Sequence, residues 1–211
     1  DETLLKHLNY NPRKYPLNLK PWNKLILKIN SLKKVVNIGV VGKYTNLKDS
    51  YKSLNEALIH GGIENLSKVE IKWINAEKIN KKNIKDKLYN CDGVLVPGGF
   101  GVRGIGGKIE AIRYARENNL PYFGICLGMQ LAVIEIARNV LRIKNANSSE
   151  FNSKSKSVVG LMTEWVKNNT IIKRNINSDK GGTMRLGSYK AKLKKKSKVF
   201  SIYKKNIISE R

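Results

Sequence analysis

A chain of 211 residues, 41% of them hydrophobic, has room for one sizeable α/β domain, or a domain with an extension, and is too apolar to be disordered. No apolar run approaches the roughly 20 residues of a membrane helix, the charged N-terminus lacks a signal-peptide core, and two cysteines, Cys91 and Cys126, exclude a disulfide framework and a zinc ligand cluster. The net charge of +25 comes from lysines diffused among asparagines, and its one dense run, Lys190 to Lys198, has no interleaved aromatics. That pattern reads as compositional bias and a solvated segment rather than a nucleic-acid surface, and the setting expected is reducing and cytoplasmic, away from membranes.

Residues 1 to 34 read as a linker. Pro12, Pro16 and Pro21 disfavour regular structure around them, and Trp22 to Ile29 has the pattern of a short amphipathic helix. From Val35 to Arg211 the pattern is that of a separate domain. Val35-Val36-Asn37-Ile38-Gly39-Val40-Val41 is a strand buried on both faces. Asp49 or Ser50 can cap a helix that carries Leu54, Ala57 and Leu58 and closes at Gly61-Gly62. A second strand is expected at Val69 to Ile74, a polar helix near Lys81 to Leu88, a third strand at Gly93 to Val96, and a helix from about Lys108 to Asn119. A strand around Phe123 and a helix from Met129 complete a series that implies an α/β fold with a doubly wound, mostly parallel sheet flanked by helices. Beyond Glu150 the chain turns polar and strand-rich, at Thr170 to Lys173 and Met184 to Leu193.

The sharpest local signal is Gly124-Ile125-Cys126-Leu127-Gly128, placed between the Phe123 strand and the Met129 helix. Glycines on either side let the backbone turn tightly and project the thiol, as in a nucleophile elbow, while the new helix aims N–H groups and its positive dipole end at the sulfur. The loop Pro97-Gly98-Gly99-Phe100-Gly101-Val102-Arg103-Gly104 contains a nominal dinucleotide fingerprint. It follows the third strand rather than the first, and no acidic residue ends the next strand, so that reading is rejected. Lys108 is followed by Ile109, not Ser or Thr, which excludes a Walker-type phosphate loop. The glycines serve better as backbone donors: Gly99 and Leu127 N–H together would form an oxyanion hole.

Glu150 and Arg185 stand out as a carboxylate and a guanidinium that would suit the two charges of a free amino acid, although from spacing alone such residues are more often surface charges. A cysteine nucleophile needs a general base. The two histidines are His7, in the linker, and His60, at a helix end remote from the strand tips, and neither is a credible partner.

Taken together, these motifs, with Gly39-Val40-Val41-Gly42-Lys43-Tyr44, Ala115-Arg116-Glu117-Asn118-Asn119, Ala146-Asn147-Ser148-Ser149-Glu150-Phe151 and Gly181-Gly182-Thr183-Met184-Arg185-Leu186-Gly187, resemble the glutamine amidotransferase domain of the CTP synthase family, a class I, triad-type amidotransferase. The resemblance runs from about Trp22 to the last residue. It implies Cys126 as nucleophile, Gly99 and Leu127 as the oxyanion hole, and Gly99, Leu127, Gly128, Met129, Gln130, Glu150 and Arg185 as the glutamine-binding set, with no metal and no cofactor in this domain. It further implies an N-terminal synthase domain that uses ATP and Mg2+ to convert UTP to CTP, GTP as allosteric effector, and a homotetramer. The chain opens at Asp1 and closes at Ser209-Glu210-Arg211, so it is expected to be a piece of a longer protein, with the family's His-Pro-Glu motif beyond Arg211 and activity of the chain alone severely impaired. Two other readings share the fold: a regulatory, inactive amidotransferase-like module, and a cysteine peptidase or chaperone-like protein, although the latter place histidine after the nucleophile, where this chain has Leu127.

Overall fold

The continuous apolar run at Val35 to Val41 becomes β1 (Lys34–Gly42), the interior strand of a parallel sheet, with β2 (Ser67–Asn75) on one side and β3 (Gly93–Val96) on the other. The strand order is β2-β1-β3-β4, where β4 (Tyr122–Gly124) pairs with β3 in the register Val96 to Gly124. The computed structural model describes residues 2–10, 18–43, 48–151, 156–160, 164–167, 170–173 and 188–210. Burial follows position in the sheet: all four residues of β3 are buried, whereas Phe123 on β4 is exposed.

The chain divides into two units, 1–161 and 162–211. In the first, α1 (Glu2–His7) and α2 (Lys20–Asn30) occupy the stretch expected to be a linker. Pro21 opens α2 rather than blocking it, because the first turn has no intrahelical acceptor for the missing N–H. Lys28 of α2 pairs with Glu64 at 2.8 Å. Glu64 ends α3 (Lys52–Glu64), which begins after a 3-10 turn at Lys48–Tyr51 and has Tyr51, rather than Asp49 or Ser50, at its N-cap position. Gly61 and Gly62 do not close α3, which runs through both. Gly62 is there for closeness: a Cβ would lie 2.6 Å from the Ser67 carbonyl oxygen as β2 departs.

The short α4 (Ile84–Lys87) precedes β3. α5 (Ile105–Glu117) starts three residues earlier than expected, from Gly104 at φ 73°. α6 (Leu127–Asn139) follows β4 and packs on α5. Val41, Val94 and Val96 from the sheet meet Ile109, Ile112 and Ala115 of α5 and Leu127, Leu131 and Ile134 of α6 in one buried cluster. Fully buried side chains such as Leu131 and Ile134 each contribute about 2 kcal/mol of transfer free energy. Arg116 of α5 makes a bidentate pair with buried Glu135 of α6, at 2.8–3.0 Å, and Asn139 donates to the same carboxylate at 3.0 Å. β5 (Ala146–Ser148) and β6 (Lys156–Val159) pair parallel beside α6.

Among its described residues the second unit holds two antiparallel pairs: β7 (Glu164–Lys167) with β8 (Thr170–Lys173), and β9 (Tyr189–Lys192) with β10 (Ile207–Glu210). Between the last two lies α7 (Lys198–Tyr203), capped by Ser197, whose hydroxyl accepts from Phe200 N–H at 3.1 Å. All four residues of β9, which overlaps the start of the lysine-rich run, are exposed.

Candidate active site

β4 delivers the chain into Cys126 at φ 52° and ψ −107°, outside the regions open to residues with a Cβ. Such a conformation costs of order 1–3 kcal/mol and persists because its surroundings impose it. Ile125 N–H donates to the Val96 carbonyl at 3.0 Å, Gly128 N–H to Ile125 at 2.9 Å, and Gln130 N–H to Cys126 at 3.1 Å. The flanking glycines are required by contact as much as by turning. A Cβ on Gly128 would overlap the Val96 carbonyl, and one on Gly124 would lie 2.5 Å from the Gly128 carbonyl carbon. Cys126 is exposed at the tip, and Leu127, buried, opens α6, where N–H groups have no intrahelical acceptor.

The loop after β3 lies directly against this turn. A Cβ built on Gly98 would sit 3.3 Å from Cys126 Cβ and 3.9 Å from its Sγ. Three glycines of that loop have positive φ: Gly99 at 148°, Gly101 at 80° and Gly104 at 73°. Glu150, although distant in sequence, reaches the same loop, where its Oε1 accepts from Gly101 N–H at 2.9 Å. Met129 is exposed and Gln130 half-buried in the first turn of α6, on the elbow's own helix. Arg185, with the rest of Gly181 to Gly187, lies outside the described residues. His60 is exposed on α3, which packs on β2, the edge strand furthest from β4. Three strand spacings, about 14 Å, separate those two edges. His7 is in α1.

Comparison with known proteins fits this geometry. The family model described as "Glutamine amidotransferase class-I" matches residues 46–208. The chain belongs to the class-I glutamine amidotransferase family. It is 54% identical over 209 residues to a CTP synthase of Pelagibacter ubique, covering 98% of this chain and 39% of that protein, and 52% identical over 211 residues to a CTP synthase of Rhizobium leguminosarum, again covering 39% of it. The chain thus spans about two fifths of the length of these relatives. Among solved structures it is similar to the Trypanosoma brucei CTPS glutaminase domain with bound acivicin, with TM-score 0.70 and 38% identity over 83% of this chain and 65% of that one.

Several features of this class-I amidotransferase domain escape a reading of motifs alone. Tyr122, in β4, donates from its hydroxyl to the Gly128 carbonyl at 2.8 Å and so braces the strand on the first turn of α6. Burial pushes its pKa up, which keeps the hydroxyl protonated as a donor. Lys43, at the end of β1, is 8% exposed and donates from Nζ to the Phe100 carbonyl. Lys108, in the second turn of α5, is fully buried, and its Nζ has no hydrogen-bond partner among the described residues. Burial first, and then the Lys43 charge, lower its pKa to about 8. Sequence offered only the negative finding that Lys108 is not a phosphate-loop lysine. Cys91, half-buried beside Gly39, has its thiol pushed up by burial and behaves as a packing residue.

Proposed function

We propose that this chain is the glutamine amidotransferase domain of a CTP synthase and that it takes L-glutamine as substrate. The observation that carries the reading is Cys126 at a positive-φ strand-to-helix turn, in contact with Gly98, on the loop that Glu150 also holds. In the reaction, Sγ attacks the side-chain amide carbon of glutamine, and the carbonyl oxygen takes the negative charge between Gly99 and Leu127 N–H. A donor pair of that kind is worth about 10²–10³-fold in rate for each donor. The C–N bond then breaks, ammonia leaves with a proton from a general acid, and water cleaves the thioester to give glutamate. Gly128, Met129 and Gln130 line the approach to the sulfur, Glu150 meets the α-ammonium and Arg185 the α-carboxylate.

The 211 residues contain two histidines, and His60 is on the wrong edge of the sheet to serve. The general acid–base is therefore assigned to the His-Pro-Glu motif of the family, outside this chain. The remaining steps are assigned by kinship with the CTP synthases. An N-terminal synthase domain of the same polypeptide uses the ammonia, ATP and Mg2+ to convert UTP to CTP, GTP acts as effector, the working form is a cytoplasmic homotetramer, and this domain carries no cofactor of its own. Among the described residues no helix is long and apolar enough to cross a membrane.

Labelling tests the site. A glutamine-like chloromethyl ketone should modify Cys126, L-glutamine should protect it, and Cys126→Ala should abolish it. The chain alone should release glutamate negligibly, and a protein extended to include the histidine should gain about 10²–10⁴-fold. Labelling that glutamine does not protect would remove glutamine as substrate. Hydrolysis by the chain at the extended protein's rate would return the base to these 211 residues.

A further inference from the structure

The loop from Gly98 to Gly104 is built to be mobile unless something holds it. Gly99, Gly101 and Gly104 each adopt a positive φ, and glycine loses more conformational freedom on ordering than any other residue. Its large apolar side chains do not anchor it, since Phe100 is 71% exposed and Val102 66% exposed, and Arg103, which pairs with Glu77 at 3.1 Å, ties only the end of the loop away from Gly99. Oxyanion stabilisation nevertheless demands a donor fixed in advance. The holding force is therefore to be sought in polar contacts to the loop backbone.

One peptide unit carries two such contacts. The Phe100 carbonyl accepts from Lys43 Nζ, and the Gly101 N–H of the same unit donates to Glu150 Oε1 at 2.9 Å. The peptide is planar, so gripping its oxygen from one side and its N–H from the other fixes its orientation. Both bonds involve an ionised side chain, and such bonds are roughly twice as strong as neutral ones. The stem of Lys43 also runs beneath the donor residue: a Cβ on Gly99 would lie 3.4 Å from Lys43 Cε and 3.8 Å from Nζ. The two grips are unequal. Glu150 is exposed, and in the proposed function it is also the partner of the substrate ammonium. Lys43 is buried at the end of β1, where the strand order turns from β2 to β3, so its position owes nothing to substrate.

We propose that Lys43 is a positioning residue for the oxyanion loop, holding the Phe100–Gly101 peptide, and through it Gly99, against Cys126 whether or not Glu150 is engaged by substrate. This rests on the amidotransferase reading. It predicts a specific division of effects, because a misaimed oxyanion donor weakens the transition state and leaves substrate binding nearly intact.

The experiment compares wild type, Lys43→Met and Lys43→Arg in two reactions at Cys126. With a glutamine-like chloromethyl ketone, the thiolate adds to the ketone carbon and the oxygen carries the charge in the oxyanion hole; chloride then leaves as sulfur bonds the methylene carbon, and the bond from sulfur to the ketone carbon breaks as the oxyanion returns to a carbonyl. With iodoacetamide, sulfur displaces iodide and no oxyanion forms. Lys43→Met should lower the maximal ketone labelling rate about 10- to 100-fold, with the half-saturating concentration changed by less than about threefold. Lys43→Arg, which keeps a donor, should recover part of the loss. Iodoacetamide rates should agree among all three proteins within about twofold, since neither the thiol nor its turn has changed. The proposal is overturned if Lys43→Met labels at the wild-type rate, if the loss is in half-saturation alone, or if iodoacetamide reactivity falls in parallel. Failure of the amidotransferase reading appears elsewhere, as wild-type ketone labelling that glutamine does not protect.

Discussion

Replacing Lys108 by Met should stabilise the protein at neutral pH. The side chain is wholly buried on α5, its Nζ has no partner among the described residues, and Lys43 adds a like charge. Its pKa falls from 10.5 to about 8. At pH 7 the ammonium is still mostly protonated in both states, and the native state bears a penalty of about 3 kcal/mol at 1.36 kcal/mol per pKa unit. Methionine keeps nearly the same volume and length while removing the charge, so the variant should unfold in urea at a midpoint higher by about 1 M, with the slope unchanged. The pH dependence distinguishes this from better packing. Because the folded pKa is depressed, the unfolded chain holds the extra proton between pH 8 and 10.5, and wild-type stability gains on the variant as pH rises through that window. By pH 9.5 the gap should have narrowed by about 2 kcal/mol. A variant less stable than wild type at pH 7, or a gap that does not change with pH, would mean that the ammonium has an acceptor in the folded protein and would refute the reasoning.

The strain at the elbow gives a second expectation. Cys126→Gly, relieving φ 52° and ψ −107°, should raise stability by about 1 kcal/mol in thermal or urea unfolding while abolishing labelling; a loss of stability would show that the turn is not strained. The two thiols should separate cleanly. Peptide mapping after brief iodoacetamide treatment at pH 7 should find Cys126 modified and Cys91 spared, since burial raises the Cys91 pKa and holds it as thiol. Equal modification would contradict that difference. Glu135→Gln should lower stability by about 1–3 kcal/mol in urea melts, because it removes the charge from a fully buried acceptor of Arg116 and Asn139; an unchanged midpoint would make the pair ornamental to the packing of α5 on α6.

Much of the fold could be read from local pattern. β3 spans the four residues its apolar run suggests, β1 and β2 extend theirs by one or two at each end, and the Phe123 strand and following helix flank Cys126 as expected. Helix ends were less legible. Gly61-Gly62 has the composition of a stop, yet β2 passes so close to Gly62 that its missing side chain is a packing need inside α3. Ile105-Gly106-Gly107 lacks a helical pattern, so local pattern puts the start of α5 too late, and only the completed loop shows Gly104 as its boundary.

The sequence by itself determined the chemistry on offer: a cysteine between two glycines, a glycine-rich loop one strand earlier, and no histidine within reach. These are consequences of local backbone freedom and of strand and helix periodicity, which act over a few residues. Tertiary structure decided what holds that chemistry in place. Lys43 after β1 and the Phe100–Gly101 peptide after β3 meet because a parallel sheet brings the carboxyl ends of its strands to one edge, and Glu150 reaches them from the end of β5, in the separate β5-β6 pair beside α6. Whether Lys108 is a surface cation or a buried one is decided the same way. The chain around it reads alike in either case, and its burial depends on where α5 lands against the sheet and α6.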